Sequence, residues 1–245
     1  MIVTPRGTAY LVCGVAANAL FAFVAIYGIA FIGNVAAPKT VDSGLVVPWP
    51  RAVFVDTLLI LAFAVQHSGM ARVSFKRWSM RIVPAPIERS TYILCASLLL
   101  VLLYWLWLPI PAPVWTVQQP LLRAGITALF WAGWIVTLLA AAATNQLEMT
   151  GLRQILDAVQ DRPQRALTLT TSGLYRIVRH PIYVGTLVAF WATPDMTFGH
   201  LLFAAGATAY TLLGTVLEER DLVRIFGDGY RDYQRRIRML LPFPK

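Results

Sequence analysis

Between Arg6 and Lys39 the chain carries no charged residue, and 26 of these positions, residues 8–33, are overwhelmingly apolar. That exceeds the roughly 20 residues a helix needs to cross the hydrocarbon core of a bilayer. It is also too long for the apolar core of a signal peptide, and no A-x-A-like cleavage site follows it. Further apolar runs cover residues 52–66, 92–108 and 124–143, and a last block covers 182–217, broken by Thr193-Pro194-Asp195. The first arm of that block has only about a dozen apolar residues, short of a vertical crossing. The turn at Pro194 nevertheless returns the chain to the side it left. The expected fold is all-α: a polytopic transmembrane bundle of five to six membrane helices, the last two a helical hairpin, forming one integral-membrane domain over residues 1–245.

Composition agrees. Hydrophobic residues make up 58% and charged residues 13% of the chain, and soluble domains carry about 25% charged residues. The net charge of +9 does not point to nucleic acid, because the basic residues are sorted by membrane side rather than gathered into a stripe with interleaved aromatics. With the N-terminus inside, 18 of the 21 lysines and arginines fall on inner segments, and only Lys39, Arg51 and Arg123 fall outside. By the positive-inside rule both termini face the cytoplasm, which places the protein in the inner membrane.

Several kinds of site are excluded. There is no dinucleotide or P-loop glycine pattern. His67, His180 and His200 show no metal-ligand spacing, so no metal is expected. Cys13 and Cys95 lie in apolar stretches and read as ordinary buried thiols. Two polar segments look folded: Leu152, Ile155, Leu156 and Val159 form a helical stripe, and Leu222, Phe226, Tyr230, Tyr233 and Ile237 form another, broken near Gly227-Asp228-Gly229 and ended by Pro242. The tryptophans at 105, 107, 131 and 134 read as packing and aromatic belt.

The polar residues with chemical potential cluster at the inner ends of the later helices. The segment Tyr175-Arg176-Ile177-Val178-Arg179-His180-Pro181-Ile182-Tyr183 leads into the hairpin, and Glu218-Glu219-Arg220-Asp221 leaves it. Pro181 suits the first turn of a helix, which puts His180 at the helix mouth and Tyr183 one turn inward.

Taken in order, Arg179-His180-Pro181-Ile182-Tyr183, the Glu218-Glu219 pair, Phe226-Gly227 and the Tyr230/Tyr233 spacing resemble the C-terminal half of isoprenylcysteine carboxyl methyltransferases, a group that includes phospholipid N-methyltransferases. Gln66-His67-Ser68-Gly69-Met70-Ala71-Arg72, Phe75-Lys76-Arg77-Trp78, Ile87-Glu88-Arg89-Ser90-Thr91-Tyr92 and Gly151-Leu152-Arg153-Gln154 are similar to membrane methanethiol S-methyltransferases, although Gln146 stands where that group leads one to expect histidine. The resemblance implies an S-adenosylmethionine site in residues 144–245, drawing on Tyr175, Arg179, His180, Tyr183, Glu218, Glu219, Tyr230 and Tyr233. Residues 1–143 are then expected to shape the pocket for the methyl acceptor.

The residue types suit that chemistry. A sulfonium donor calls for carboxylates and electron-rich ring faces, and in-line methyl transfer needs alignment above all. A thiol with a pKa near ~8.5 is mostly protonated at neutral pH, so it requires a base or a cationic neighbour. His67, Glu148, Arg72, Arg89 and Arg153 are the candidates. The expected reaction is methylation of a small thiol, methanethiol to dimethyl sulfide, with the lipid bilayer as surroundings and no obligate protein partner. The alternatives are a lipid-like acceptor (isoprenylcysteine carboxylate or phospholipid amine) and a non-enzymatic transporter or assembly protein.

Overall fold

The computed structural model describes residues 4–163 and 168–241. In chain order it contains α1 (Pro5–Gly33), α2 (Trp49–Ala71), α3 (Val73–Ser79), α4 (Ala85–Leu106), β1 (Pro113–Thr116), α5 (Pro120–Ala142), α6 (Gln146–Met149), α7 (Leu152–Val159), a 3-10 turn (Gly173–Arg176), α8 (Pro181–Trp191), β2 (Asp195–Thr197), α9 (Phe198–Phe226) and α10 (Asp228–Arg236). Five of the helices, α1, α2, α4, α5 and α9, are long and apolar enough to cross a membrane. The chain is a multi-pass membrane protein, mainly helical and, among the described residues, with only two short strands. Arg165, Lys245 and the stop at Pro242 lie outside the described residues. The arginine-rich end of the bundle is called inner below.

Prolines punctuate the helix starts. α1, α2, α4, α5 and α8 each carry one at the first or second position, where a missing N–H costs nothing. α4 and α5 begin seven and four residues before their apolar runs do, and α1 and α2 three. Arg51, Glu88, Arg89 and Arg123 interrupt hydropathy but sit comfortably in first turns, where long side chains reach the interface.

Residues 181–191 make α8 only 11 residues long, about 16 Å against a hydrocarbon core of about 30 Å. The shortfall is covered at the outer end by an element that hydropathy does not reveal. β1 and β2 pair antiparallel, with Pro113 opposite Thr197 and Thr116 opposite Asp195. The Arg123 guanidinium clamps the Asp195 carboxylate at 2.9 and 2.6 Å. Asp56, the lone charge inside an apolar run, is fully buried, and its Oδ1 accepts a hydrogen bond from the Leu108 amide at 2.9 Å. It satisfies a backbone donor released where α4 ends.

Below this cap, Val24, Phe31, Leu103, Tyr104, Trp107, Phe130 and Phe203 form the buried core. α7 rests against α1 and α4 with Ile155 fully buried, as its stripe implies. The tightest helix contact is between α5 and α8. A Cβ on Gly185 would stand 2.5 Å from the Gly133 carbonyl oxygen, and one on Gly133 would stand 2.7 Å from the Gly185 oxygen. Small residues let the two backbones meet, as is usual between membrane helices. Thr137 Oγ1 adds bonds to the Gly133 and Ile182 carbonyls at 3.0 and 3.4 Å. The start of α8 is thereby fixed beside the inner end of α5.

Gly185→Leu is therefore expected to destabilise the bundle by about 1–3 kcal/mol through overpacking. Gly125, whose Cβ would meet nothing within 4 Å, provides the control. Thermal unfolding in detergent should show a lowered midpoint for Gly185→Leu and an unchanged one for Gly125→Leu.

Candidate active site

At the inner end the chain enters α8 through an extended segment stitched to the tail. The Arg179 amide donates to the Arg238 carbonyl at 2.9 Å and the His180 amide to the Met239 carbonyl at 3.2 Å. Four segments distant in sequence thus converge: residues 175–183, the inner half of α9, α10, and residues 237–239.

Glu219 is their common acceptor. Arg179 grips it with Nε–Oε1 at 2.6 Å and Nη2–Oε2 at 2.8 Å. His180 Nε2 lies 3.1 Å from Oε1, Gln234 Nε2 donates to Oε2 at 2.9 Å, and the Tyr230 hydroxyl donates to Oε1 at 3.3 Å. Arg179 also bonds the Gln234 and Ile237 carbonyls. The ion pair is well buried, with side chains 8% and 13% exposed.

The neighbouring carboxylate differs. Glu218 has a side chain 42% exposed and receives the Tyr183 hydroxyl on Oε2 at 2.7 Å. The His180 ring stands between the two carboxylates, 4.0 Å from Glu218 and 3.1 Å from Glu219. It stacks on Tyr183 at 5.5 Å and 15°. Successive residues on a helix point about 100° apart, so one glutamate turns into the network and the other toward open space.

The tyrosines of the tail are braces. The Tyr233 hydroxyl donates to the Tyr175 carbonyl at 2.6 Å, and the Tyr175 hydroxyl donates to the Ala140 carbonyl at 3.4 Å. Burial pushes both phenols up to about 12, and burial beside Glu219 also raises Tyr230. All three remain neutral donors at physiological pH.

A second cluster lies against this one. His67 on α2 sits among aromatic rings: Phe63 stacks on it at 5.1 Å, Tyr92 of α4 is tilted at 5.1 Å, and Tyr210 of α9 meets it edge-on at 6.1 Å. His67 Nε2 is 2.8 Å from the Tyr92 hydroxyl, and its buried Nδ1 has no hydrogen-bond partner among the described residues. Glu218 is close enough to interact electrostatically with Tyr92 and Tyr210, and Tyr183 with both tyrosines. The two clusters are therefore neighbours at the inner end of the bundle.

Arg72 closes its inner edge, pairing with Asp221 at 2.8 Å and bonding the Leu217 carbonyl at 3.2 Å. Arg89 lies over the Tyr92 ring at 5.0 Å. Glu148 and Arg153 have local partners instead: Asn145 bonds Glu148 at 3.2 Å, and Arg153 lies 3.6 Å from Asp157. Among the described residues neither touches the hairpin cluster.

Tyr92 and Asp221 were named in the sequence only as the ends of longer motifs, and Tyr210 and Gln234 were not named at all, yet all four make contacts within these clusters. Tyr210, Gly214 and Glu218 recur every four residues and so share a face of α9, a signal that was available. Gln234 and Asp221 had none beyond adjacency.

The two glutamates should separate by stability. Glu219→Ala leaves Arg179 buried without its partner, which costs about 3–5 kcal/mol. Glu218→Ala removes one bond to a half-exposed carboxylate. Thermal unfolding in detergent should show a large loss for the first variant and a small one for the second.

A family model described as phospholipid methyltransferase matches residues 124–229. The chain is 54% identical over 211 residues to a methanethiol S-methyltransferase of Pseudomonas deceptionensis, covering 86% of this chain and 80% of that one. It is 50% identical over 234 residues to a methanethiol S-methyltransferase of Mycobacterium tuberculosis, covering 96% of both. It is 50% identical over 222 residues to one from a Pseudomonas species, covering 91% and 85%. No solved structure matches. With relatives this similar over nearly their whole length, the chain belongs to the methanethiol S-methyltransferase family and is a membrane methyltransferase.

Proposed function

We propose that the protein transfers a methyl group from S-adenosylmethionine to methanethiol, giving dimethyl sulfide and S-adenosylhomocysteine, on the cytoplasmic side of the inner membrane. The observation that carries this reading is the meeting of two unlike surfaces: a carboxylate-lined cradle at Glu218, His180 and Tyr183, and an aromatic box around His67. The names of the relatives supply the acceptor. The sorting of 18 of 21 basic residues supports cytoplasmic termini.

The residues present fit the donor. Glu218 offers a half-exposed carboxylate to a cationic ligand, and the rings of Tyr183 and Tyr210 offer π faces. When bound, S-adenosylmethionine supplies an electrophilic methyl carbon on a sulfonium. Arg179 and Glu219 neutralise one another and keep the cradle rigid, while Tyr175, Tyr230 and Tyr233 brace it from the tail side. Residues 144–245 act in this reading as the donor-binding half and residues 1–143 as the acceptor-shaping half.

His67 is assigned the acceptor. In the tautomer that carries its proton on Nε2, donated to the Tyr92 oxygen, Nδ1 keeps a lone pair that is buried and has no partner among the described residues. His67 Nδ1 takes the thiol proton as the S–H bond breaks. With the donor held at Glu218, Tyr183 and Tyr210, the thiolate so formed would accept the methyl group, and the electron pair of the methyl–sulfonium bond would remain on the donor sulfur. Opposite charges vanish in that step, so the aromatic walls that keep water out favour it. Arg72 and Arg89 lie beside this pocket as cationic neighbours, whereas Glu148 and Arg153 stand apart from it.

Purified protein given methyl-labelled S-adenosylmethionine and methanethiol should release labelled dimethyl sulfide into the headspace. Donor binding without that product would move the acceptor to a phospholipid amine or prenylated cysteine carboxylate, and absence of donor binding would remove the reading altogether. His67→Asn should lower kcat/KM for the thiol by about 10²–10⁴-fold at neutral pH. The deficit should shrink as pH rises toward the thiol's own pKa, which for a simple alkyl thiol lies above the ~8.5 of a cysteine side chain, and donor affinity should be retained. A deficit independent of pH would contradict the role of base.

A further inference from the structure

The inner end of the bundle also holds a pocket that the steps above leave unused. Met70 at the end of α2, Phe75 and Trp78 on α3, Ile82 in the following turn, and Glu88 and Thr91 on α4 line a half-open pocket of about 220 Å³. Its walls are mainly apolar. Pockets for drug-sized ligands run to about 300–1,000 Å³, so this one suits a molecule of a few heavy atoms and is too small for a phospholipid.

Its position is informative. Met70 lies three residues from His67 on α2, and Glu88 and Thr91 lie four residues and one residue from Tyr92 on α4. The pocket therefore adjoins the His67–Tyr92 pair, one helical turn nearer the inner face. At its rim, Trp78 is 52% exposed and Ile82 is 72% exposed, with Lys76, Arg77 and Arg81 alongside. Exposed tryptophan and aliphatic side chains among lysines and arginines are what a surface lying at headgroup level presents. Glu88 contributes a carboxylate to the wall, and its buried Oε1 has no hydrogen-bond partner among the described residues.

We propose that this pocket is the acceptor's portal, through which a small uncharged thiol passes from the inner membrane interface, between Trp78 and Ile82, to His67. The inference rests on the thiol methyltransferase reading. The route draws the acceptor from the apolar phase in which a small alkyl thiol concentrates, while the charged donor reaches Glu218 by another path. The Glu88 carboxylate disfavours anions in an apolar wall, so the thiol passes protonated and gives up its proton only at His67.

Blocking the portal after folding tests this directly. Thr91→Cys, and separately Ile82→Cys at the exposed rim, would be purified and then labelled with benzyl methanethiosulfonate. Labelling is verified by intact mass, with wild type treated in parallel to account for Cys13 and Cys95. Relative to the same unlabelled variant, the label should lower kcat/KM for methanethiol by about tenfold or more. The calorimetric Kd for S-adenosylmethionine should stay within about twofold, since the donor cradle is untouched. Complete labelling at both positions with kcat/KM unchanged would overturn the portal. Unlabelled protein that binds the donor but methylates no thiol would overturn the acceptor assignment, and the portal with it.

Discussion

A single buried carboxylate organises the inner end of this protein. Glu219 accepts from Arg179, His180, Gln234 and Tyr230, so one group on α9 fixes the entrance of α8 and the whole of α10. A buried charge is costly unless it is paired and fully hydrogen-bonded, and both conditions are met here. Backbone bonds from residues 179 and 180 to residues 238 and 239 extend the same junction into the tail. With Glu219 committed to the network, Glu218 is left as the carboxylate available to a ligand.

The second constraint is depth. α8 is about half as long as the hydrocarbon core is thick, and because the shortfall lies at the outer end, its N-terminal His180 stands level with the inner end of α5. The close approach of Gly133 and Gly185 fixes that level, and the β1–β2 pair with the Arg123–Asp195 clamp fills the outer remainder. A site at the mouth of a short helix adjoins both the arginine-rich surface and the apolar interior. In the proposed reaction the donor is charged and water-borne and the acceptor is small and apolar. A boundary of this kind serves both.

Much of this was legible in the sequence, for identifiable reasons. Hydropathy reports lipid exposure, so the five long helices and the hairpin could be read. Periodicity reports a one-sided contact, so α7 could be read, and the break near Gly227 appears as the left-handed φ of 57° between α9 and α10. The helix starts were read late because charged first-turn residues resemble ends of spans. The β1–β2 pair was invisible, since its strands are three and four residues long and far apart in the chain. The aromatic box around His67 needs three helices to form it, and no local pattern announces such a convergence. The adjacent glutamates looked equivalent because a sequence lists neighbours, whereas a helix turns them toward different partners.

The central claim is that the cradle at Glu218 and the aromatic box at His67 are two halves of one reaction site. An experimental structure of the protein with S-adenosylhomocysteine tests it most directly. The account predicts the sulfur between Tyr183 and Tyr210 and directed toward His67, with Glu218 in contact with the ligand and Glu219 still held by Arg179. A ligand bound with its sulfur turned away from α2, or held by Glu219 with the Arg179 pair broken, would contradict it.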